Sequence, residues 1–398
     1  MGEKYIGKRI QEYRTQILET LCELIAIPTV NPPGKSYKQC AYYLSGKLRN
    51  WGLSHHVVKV PDGRFQRLSI LGDYGEGRES LHFHGHYDVV PTDSSSYFRA
   101  HIRRGRLYGR GSSDMKGGLM AMLFALRVLQ ESGIKLKGRI TFTLVPDEET
   151  GGRLGTRYLM DSGLIPPATL GMLMPEPTSG SIWNANKGAL TYLVTVHGSP
   201  AHVGLASGGD NPFEHLVEIS HSLLKLKQRI QMRKTAMRAH PPQARSSVML
   251  MGGESGSGVS FNVVPERAFF TIDRRLNPEE SLDEAKKEIV KIMEKHKKRG
   301  VKIRMEILQE GESSVSKPES LLASALKESI KRVTGKVPSF ELCPGLCEIR
   351  FFNKRGIPAY AYGPGLLEVS HGPEEYVKIS DVLGCAEVYA LTAISLLS

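Results

Sequence analysis

The strongest constraint on the fold is an alternation of strands and helices that stops in the middle of the chain and resumes later. Strand-like runs at 56–60, 68–71, 81–84 and 140–144 are interleaved with helical runs at 36–52 and 117–132. An alternation of this kind layers helices on a sheet. A further helical stretch covers 5–28, with Ile6, Ile10, Ile17, Leu18, Leu21 and Ile25 at helical spacing and a stop at Pro28. Between 190 and 308 the order changes. Strand-like runs at 190–197, 268–274 and 301–308 accompany long helical runs at 211–237 and 279–298, a βαββαβ-like order typical of a small α+β module. The alternation then returns and ends in a helix over 382–397. The expected architecture is an α/β domain built from 1–181 and 309–398, with an α+β domain inserted at 182–308. The glycine-rich stretch 252–258 lacks the strand–GxGxxG–helix context of a dinucleotide site and reads as a turn.

Length supports the division, because 398 residues exceed what one core usually organises. No apolar run approaches the roughly 20 residues of a membrane span. Residues 1–14 are polar and charged, without the apolar stretch of a secretory signal. The five cysteines, Cys22, Cys40, Cys343, Cys347 and Cys385, are scattered and form no CxxC pair, which suits reduced thiols in the cytoplasm. Cys343 and Cys347 read as ordinary thiols. A net charge of +12 raises nucleic acid as a partner. The basic residues are dispersed or lie on amphipathic stretches such as 284–299, and no RNP or zinc-finger spacing accompanies them. They read as a solvated face that also attracts small anions, so neither nucleic acid nor membrane is expected as a partner.

The chemistry lies at strand ends, where α/β domains place their sites. In His84-Gly85-His86-Tyr87-Asp88, residues two apart share a face of the extended chain. Asp88 can therefore hold one ring nitrogen of His86 and leave the other for a metal. Asp114 sits in a glycine-rich loop just before a helix, where a carboxylate can also serve as a cap. Asp147, Glu148 and Glu149 follow an apolar strand, and three adjacent carboxylates repel one another unless cations or protons compensate. Glu176 is held between Pro175 and Pro177, and His371 follows Gly363-Pro364-Gly365 near the C-terminus. Taken singly, each segment is compatible with an ordinary loop.

In their order and context, these segments resemble the M20 metallopeptidases, a group that includes acetylornithine deacetylase, succinyl-diaminopimelate desuccinylase, aminoacylase-1 and bacterial glutamate carboxypeptidase. The resemblance runs from about Ile27-Pro28 to Tyr376. It implies a zinc-peptidase-like catalytic domain with an inserted lid that dimerises, and two divalent ions, zinc or alternatively cobalt. His86 and His371 would each ligate one ion, Asp114 would bridge both, and Glu149 and Glu176 would complete the sites. Glu148 would be the general base, Asp88 would orient His86, and the Asp114–Met115 peptide would be cis. In the lid, Gly198-Ser199-Pro200-Ala201-His202 matches a motif whose histidine reaches the partner's active site and stabilises the oxyanion. Asn262 and Arg275 match lid positions that bind the substrate carboxylate. Arg274, one step along, faces the other way and reads as a surface residue.

The implied activity is hydrolysis of the amide bond of a small, carboxylate-bearing N-acyl amino acid by a homodimer. The alternative within the same machinery is a dinuclear metallocarboxypeptidase or dipeptidase acting on short peptides with a free C-terminus. Many relatives carry Gly-Gly-Thr-Asp-Ala-Arg where this chain has Gly345-Leu346-Cys347-Glu348-Ile349-Arg350, which leaves the acyl preference open. The HxHxD run also resembles metallo-β-lactamase-fold hydrolases, but position 89 is valine rather than histidine. A TIM-barrel amidohydrolase would need a continuous eightfold alternation, which 190–308 interrupts. A scaffold that has lost its metals is countered by the full set of five ligands plus Glu148.

Overall fold

The computed structural model describes residues 2–61, 66–204 and 210–398. Two compact units emerge. The first comprises Met1–Asn184, Ser316–Glu341 and Glu348–Ser398, and the second Ala185–Val315 and Leu342–Cys347. The crossings expected at 181/182 and 308/309 thus fall a few residues early. The return of Leu342–Cys347 to the second unit had no signal in the sequence.

In the first unit, the strands run in the order Ser54–Val60, Arg67–Gly75, Arg139–Val145, Ser80–His86, Gly171–Met174, Ala359–Ala361 and Ile182–Asn186. Ser80–His86 is parallel to both of its neighbours, with His86 opposite Val145 and Phe83 opposite Leu173. Every residue of this strand is buried, as expected of a parallel strand covered on both faces. Helix Lys116–Glu131 is apolar nearly all round and is buried from Lys116 to Leu126. Helix Ile379–Leu397 packs against it. Contrary to the expectation that no segment is span-like, Ile379–Leu397 reaches the length and mean hydropathy (1.4) of a membrane helix. Its buried residues, including Val382, Val388, Tyr389 and Ala393, belong to the main apolar core, which accounts for that composition. The single N-terminal helix expected from periodicity is two helices, Gly2–Glu12 and Arg14–Ile25, separated at Tyr13.

A small sheet then fixes the C-terminal loop. Tyr376–Lys378 pairs antiparallel with Arg106–Tyr108, which pairs with His101–Arg103. With Tyr376 opposite Tyr108, the segment carrying His371 is brought beside the segment carrying Asp114.

The second unit is a four-stranded antiparallel sheet in the order Val248–Ser257, Arg267–Leu276, Gly188–His197 and Lys302–Gly311, joined with helices Pro212–Gln231 and Leu282–Lys297. Asn211 starts the first helix by accepting the Phe213 N–H ahead of a proline at the first turn, and Ser281 caps the second. Ile219, Leu223, Leu226 and Ile230 form a helical stripe that meets Leu190, Val194 and Val196 from the sheet. The stretch read as a turn at 252–258 instead lies mostly within Val248–Ser257. A bulge between Met251 and Ser255 absorbs the glycines without ending the pairing.

Arg274 also departs from expectation, because it is only 1% exposed. It shares the helix-facing side of its strand with Ala268, Phe270, Ile272 and Leu276, and its guanidinium pairs with Glu280 at 3.0 Å and Glu288 at 2.6 Å. Alternation separated Arg274 from Arg275 correctly, but the face assigned to solvent is the one the helices cover. Breaking a buried pair of this kind typically costs about 3–5 kcal/mol. Arg274→Ala should therefore lower the urea midpoint of this unit clearly, and an unchanged midpoint would show that the network adds nothing to stability.

Candidate active site

Three parallel strands end side by side and deliver the acidic loops together. Ser80–His86 leads into Asp88, Arg139–Val145 into Asp147-Glu148-Glu149, and Gly171–Met174 into Glu176. Helix Lys116–Glu131 brings Asp114 from above. Its Gly118 lies so near the Pro175 backbone that an added Cβ would sit 2.0 Å from the Pro175 carbonyl oxygen. The Asp114–Met115 peptide is cis, as the resemblance implied.

Two groups of donor atoms result, each gathered within 4.8 Å: His86, Asp114 and Glu176, and Asp114, Glu149 and His371. Asp114 joins them with its two oxygens. Its Oδ1 lies 3.3 Å from His86 Nε2 and its Oδ2 lies 3.3 Å from His371 Nε2. His371 Nε2 is also 3.3 Å from Glu149 Oε2, and His86 Nε2 is 3.6 Å from Glu176 Oε1. The donor set fits two cations. His86 Nε2 and Glu149 Oε1 are buried without a well-formed hydrogen bond, which is costly for polar atoms that have no further partner. Imidazole with carboxylate suits zinc, although ligand type does not select one metal.

Electrostatics follow from this crowding. Burial pushes Glu149 up to about 7 and Glu148 well above the ordinary carboxylate range. Burial also works against the charged form of His86, but bonds to Asp114 and Asp88 outweigh it and raise the imidazole well above its usual value. For Asp114, burial is outweighed by His371 and His86, so its carboxyl sits below the usual range. His371 rises to about 11 through Asp114 and Glu149. Without bound cations, protons must take over part of the neutralisation.

Asp88 organises the cluster from behind. His86 Nδ1 lies 3.3 Å from Asp88 Oδ1 and 3.2 Å from the Asp88 carbonyl oxygen. Oδ1 also accepts the Glu148 N–H at 3.2 Å, while Oδ2 accepts the Glu149 N–H at 3.2 Å and Asn31 Nδ2 at 2.8 Å. Asn31 Nδ2 additionally donates to Thr150 Oγ1 at 3.0 Å. Glu375 does similar work for the bridging loop. Its Oε1 accepts the N–H groups of Ser113 and Asp114 at 3.0 and 3.1 Å, and its Oε2 accepts Arg110 Nη1 at 2.6 Å. Arg110 Nη2 reaches the His371 carbonyl at 3.0 Å and so ties the two loops together. Neither Asn31 nor Glu375 was singled out from the sequence, because each acts on residues far away in the chain.

The model of peptidase family M20/M25/M40 matches residues 82–395, spanning every residue of the two metal-donor groups. The chain belongs to this peptidase family. A curated succinyl-diaminopimelate desuccinylase from Gluconacetobacter diazotrophicus is 28% identical over 392 residues, covering 94% of this chain and 96% of that protein. Human carnosine dipeptidase 1 superposes with a TM-score of 0.82 at 16% identity, covering 100% of this chain and 99% of that one. An M20 family metallo-carboxypeptidase from Sulfolobus solfataricus gives 0.80 at 21% identity, covering 96% and 99%. The fold is that of M20 peptidases, and this M20 member is a metal-dependent hydrolase.

The structure therefore gathers His86, Asp88, Asp114, Glu148, Glu149, Glu176 and His371 in the first unit. His202, Asn262 and Arg275 lie in the second unit, and neither donor group contains them. His202 is exposed and forms a bridge with Val263, beside half-buried Asn262. Arg275 forms a two-bond pair with Asp273, at 2.7 and 2.9 Å. Loss of a partner behind a metal-ligating histidine typically costs about 10–100-fold in metal affinity or activity. Asp88→Ala should weaken Zn²⁺ binding by that order in a chelator competition, and Asn31→Ala should weaken it less. Wild-type affinity in Asp88→Ala would remove Asp88 from the metal's support.

Proposed function

We propose that this M20 hydrolase is a deacylase that cleaves the amide bond of small N-acyl amino acids carrying a free carboxylate. The observation that carries this reading is the division of labour among the buried carboxylates. Asp114, Glu149 and Glu176 fall within the donor groups, whereas Glu148 lies outside both and is held beside them by its N–H bond to Asp88. A carboxylate left over from ligation, with its proton affinity raised by burial, suits a general base. The desuccinylase relative supports an acyl amino acid as substrate.

His86, Asp114 and Glu176 would hold one divalent ion, and Asp114, Glu149 and His371 the other, zinc being the proposed metal and cobalt the alternative. When bound, such ions polarise the scissile carbonyl and acidify water. Glu148 takes the proton of the attacking water and returns it to the leaving amine. Asp88 keeps Glu148 in place through its backbone while fixing the His86 ring. Asp273 engages the Nε–Nη2 edge of Arg275, so the Nη1–Nη2 edge is the one that can meet a substrate carboxylate. His202, supplied by a partner subunit, stabilises the oxyanion.

Assembly as a homodimer through the second unit is part of this proposal. Phe213, Val217 and Leu224 are about half exposed on helix Pro212–Gln231, and Val248 and Leu250 are exposed on the edge strand Val248–Ser257. Apolar groups along a strand edge favour pairing with another copy.

The decisive assay is a panel of N-acetyl and N-succinyl amino acids and short peptides, run with Zn²⁺ or Co²⁺. Turnover restricted to peptides would replace the deacylase reading with a dipeptidase or carboxypeptidase one. Chelation should abolish activity, and Asp114→Ala should lose both ions. Glu148→Gln should keep two equivalents of metal while turnover falls by about 10²–10⁴-fold. Full turnover in that variant would end the general-base assignment.

The shared site yields a separate test. Glu148→Ala and His202→Ala homodimers should both be nearly inactive, since lost oxyanion stabilisation is typically worth about 10²–10³-fold. Co-refolding the two should restore activity, because a mixed dimer collects both defects in one site and leaves the other intact. Verified heterodimers without recovery would place His202 outside the partner's chemistry.

A further inference from the structure

The segment that departs from the common family pattern supplies Glu348, and its surroundings set it apart from an ordinary buried acid. Glu348 is fully buried, and its Oε2 bonds to His84 Nε2 at 2.8 Å. His84 lies two residues before His86 on the same strand, so the two rings share a face. Thr156 Oγ1 also meets His84 Nε2, at 3.0 Å, and Thr143 Oγ1 meets its Nδ1. The chain of contacts continues from Thr143 to His82 and on to Thr141. Phe352 packs on the rings of His82 and His84, at 5.3 and 5.2 Å between centroids. This polar network reaches Glu348 from the strand that carries His86.

The other Glu348 oxygen faces the loop of the general base. Oε1 lies so close to Gly152 that an added Cβ there would be 2.2 Å away, and Gly152 has a φ of +67°. One residue earlier, the Gly151 carbonyl accepts Arg350 Nη2 at 2.7 Å. Gly151 N–H closes back onto Glu148 O, and Gly152 N–H onto Asp147 O, both at 2.7 Å. The loop bearing Glu148 and Glu149 is therefore held at its start by Asp88 and at its end by Arg350, with Glu348 Oε1 packed against Gly152 without a hydrogen bond.

We propose that the His84–Glu348 pair is a positioning device for the hydrolytic reaction, bracing the Asp147–Gly152 loop so that Glu148 and Glu149 keep their places. The role rests on the assignment of Glu148 as general base, but neither His84 nor Glu348 belongs to a donor group. It also gives a use to the unusual Cys347-Glu348 loop. A histidine at 84 and a glutamate at 348 form a bonded pair that links the strand to the loop.

The test combines kinetics on the best substrate of the acyl amino acid panel with the visible absorption of the Co²⁺-loaded protein. That spectrum responds to the geometry of the site containing Glu149 whether or not turnover occurs. Glu348→Leu and His84→Ala should each bind two Co²⁺, show an altered spectrum, and lose about 10–100-fold in kcat with KM near wild type. The double variant should be no worse than the poorer single one, because the two residues act as one unit. Glu348→Gln, which keeps the bond to His84, should recover most of the turnover and the wild-type spectrum. Wild-type kcat and spectrum in Glu348→Leu, with only a lower melting temperature, would reduce the pair to a packing element and overturn the proposal. Losses that multiply in the double variant, or a Glu348→Gln variant as impaired as Glu348→Leu, would overturn it as well. If Glu148→Gln kept full turnover, the general-base reading would fail while the cobalt spectra still reported on the brace.

Discussion

The Asp88 carboxylate accepts hydrogen bonds from the Asn31 side chain and the Glu148 and Glu149 amides, and it faces the His86 ring. Burying a carboxylate is costly unless donors surround it. Here the donors come from two stretches remote from Asp88, at Asn31 and at Glu148–Glu149, so meeting that requirement assembles the site. Asp88 sits just past the end of a fully buried parallel strand, and its neighbour strand feeds directly into the loop whose amides it binds. Orientation of the histidine proposed to hold a metal and placement of the carboxylate proposed as general base thus depend on the same two oxygens.

The rest of the first unit acts as a frame for this arrangement. Close contact between Gly118 and the Pro175 backbone sets the distance between the Asp114 helix and the Glu176 loop. Glu375, fixed by Arg110, holds the amides of Ser113 and Asp114 from the opposite side. The five metal-binding candidates come from sequence positions 86 to 371, so no local preference could gather them. Parallel register and the small three-stranded sheet do so.

Much of this was legible because chemistry in such folds concentrates at strand ends, and strands announce themselves by short apolar runs. His86, Asp114, Glu149, Glu176 and His371 each follow or precede such a run or a glycine-rich turn, and a family resemblance supplied their grouping. What stayed hidden depends on long-range pairing. Asn31 and Asp88 are 57 positions apart, Glu375 and Ser113 are 262 apart, and Glu348 and His84 are 264 apart. A single sequence offers no periodicity that marks such pairs. Arg274 shows a different limit: alternation separates two faces of a strand but does not say which one is covered, and a cation on the covered face is retained when acids such as Glu280 and Glu288 come with the helix. At 252–258 the glycines promised a turn, yet a bulge let the ladder continue through them.

The chain enters the second unit after Asn184, leaves it after Val315, and revisits it for six residues before ending in the first. This has a consequence for biosynthesis. As the polypeptide leaves the ribosome, His86, Asp114, Glu149 and Glu176 emerge before the inserted stretch Ala185–Val315. Tyr376–Lys378, the strand that brings His371 beside the Asp114 segment, appears only after that stretch. One of the two donor groups therefore remains incomplete until the inserted stretch has been made and His371 has followed it. Completion of the group formed by Asp114, Glu149 and His371 thus waits on the pairing of that strand with Arg106–Tyr108, which joins segments made on either side of the insertion.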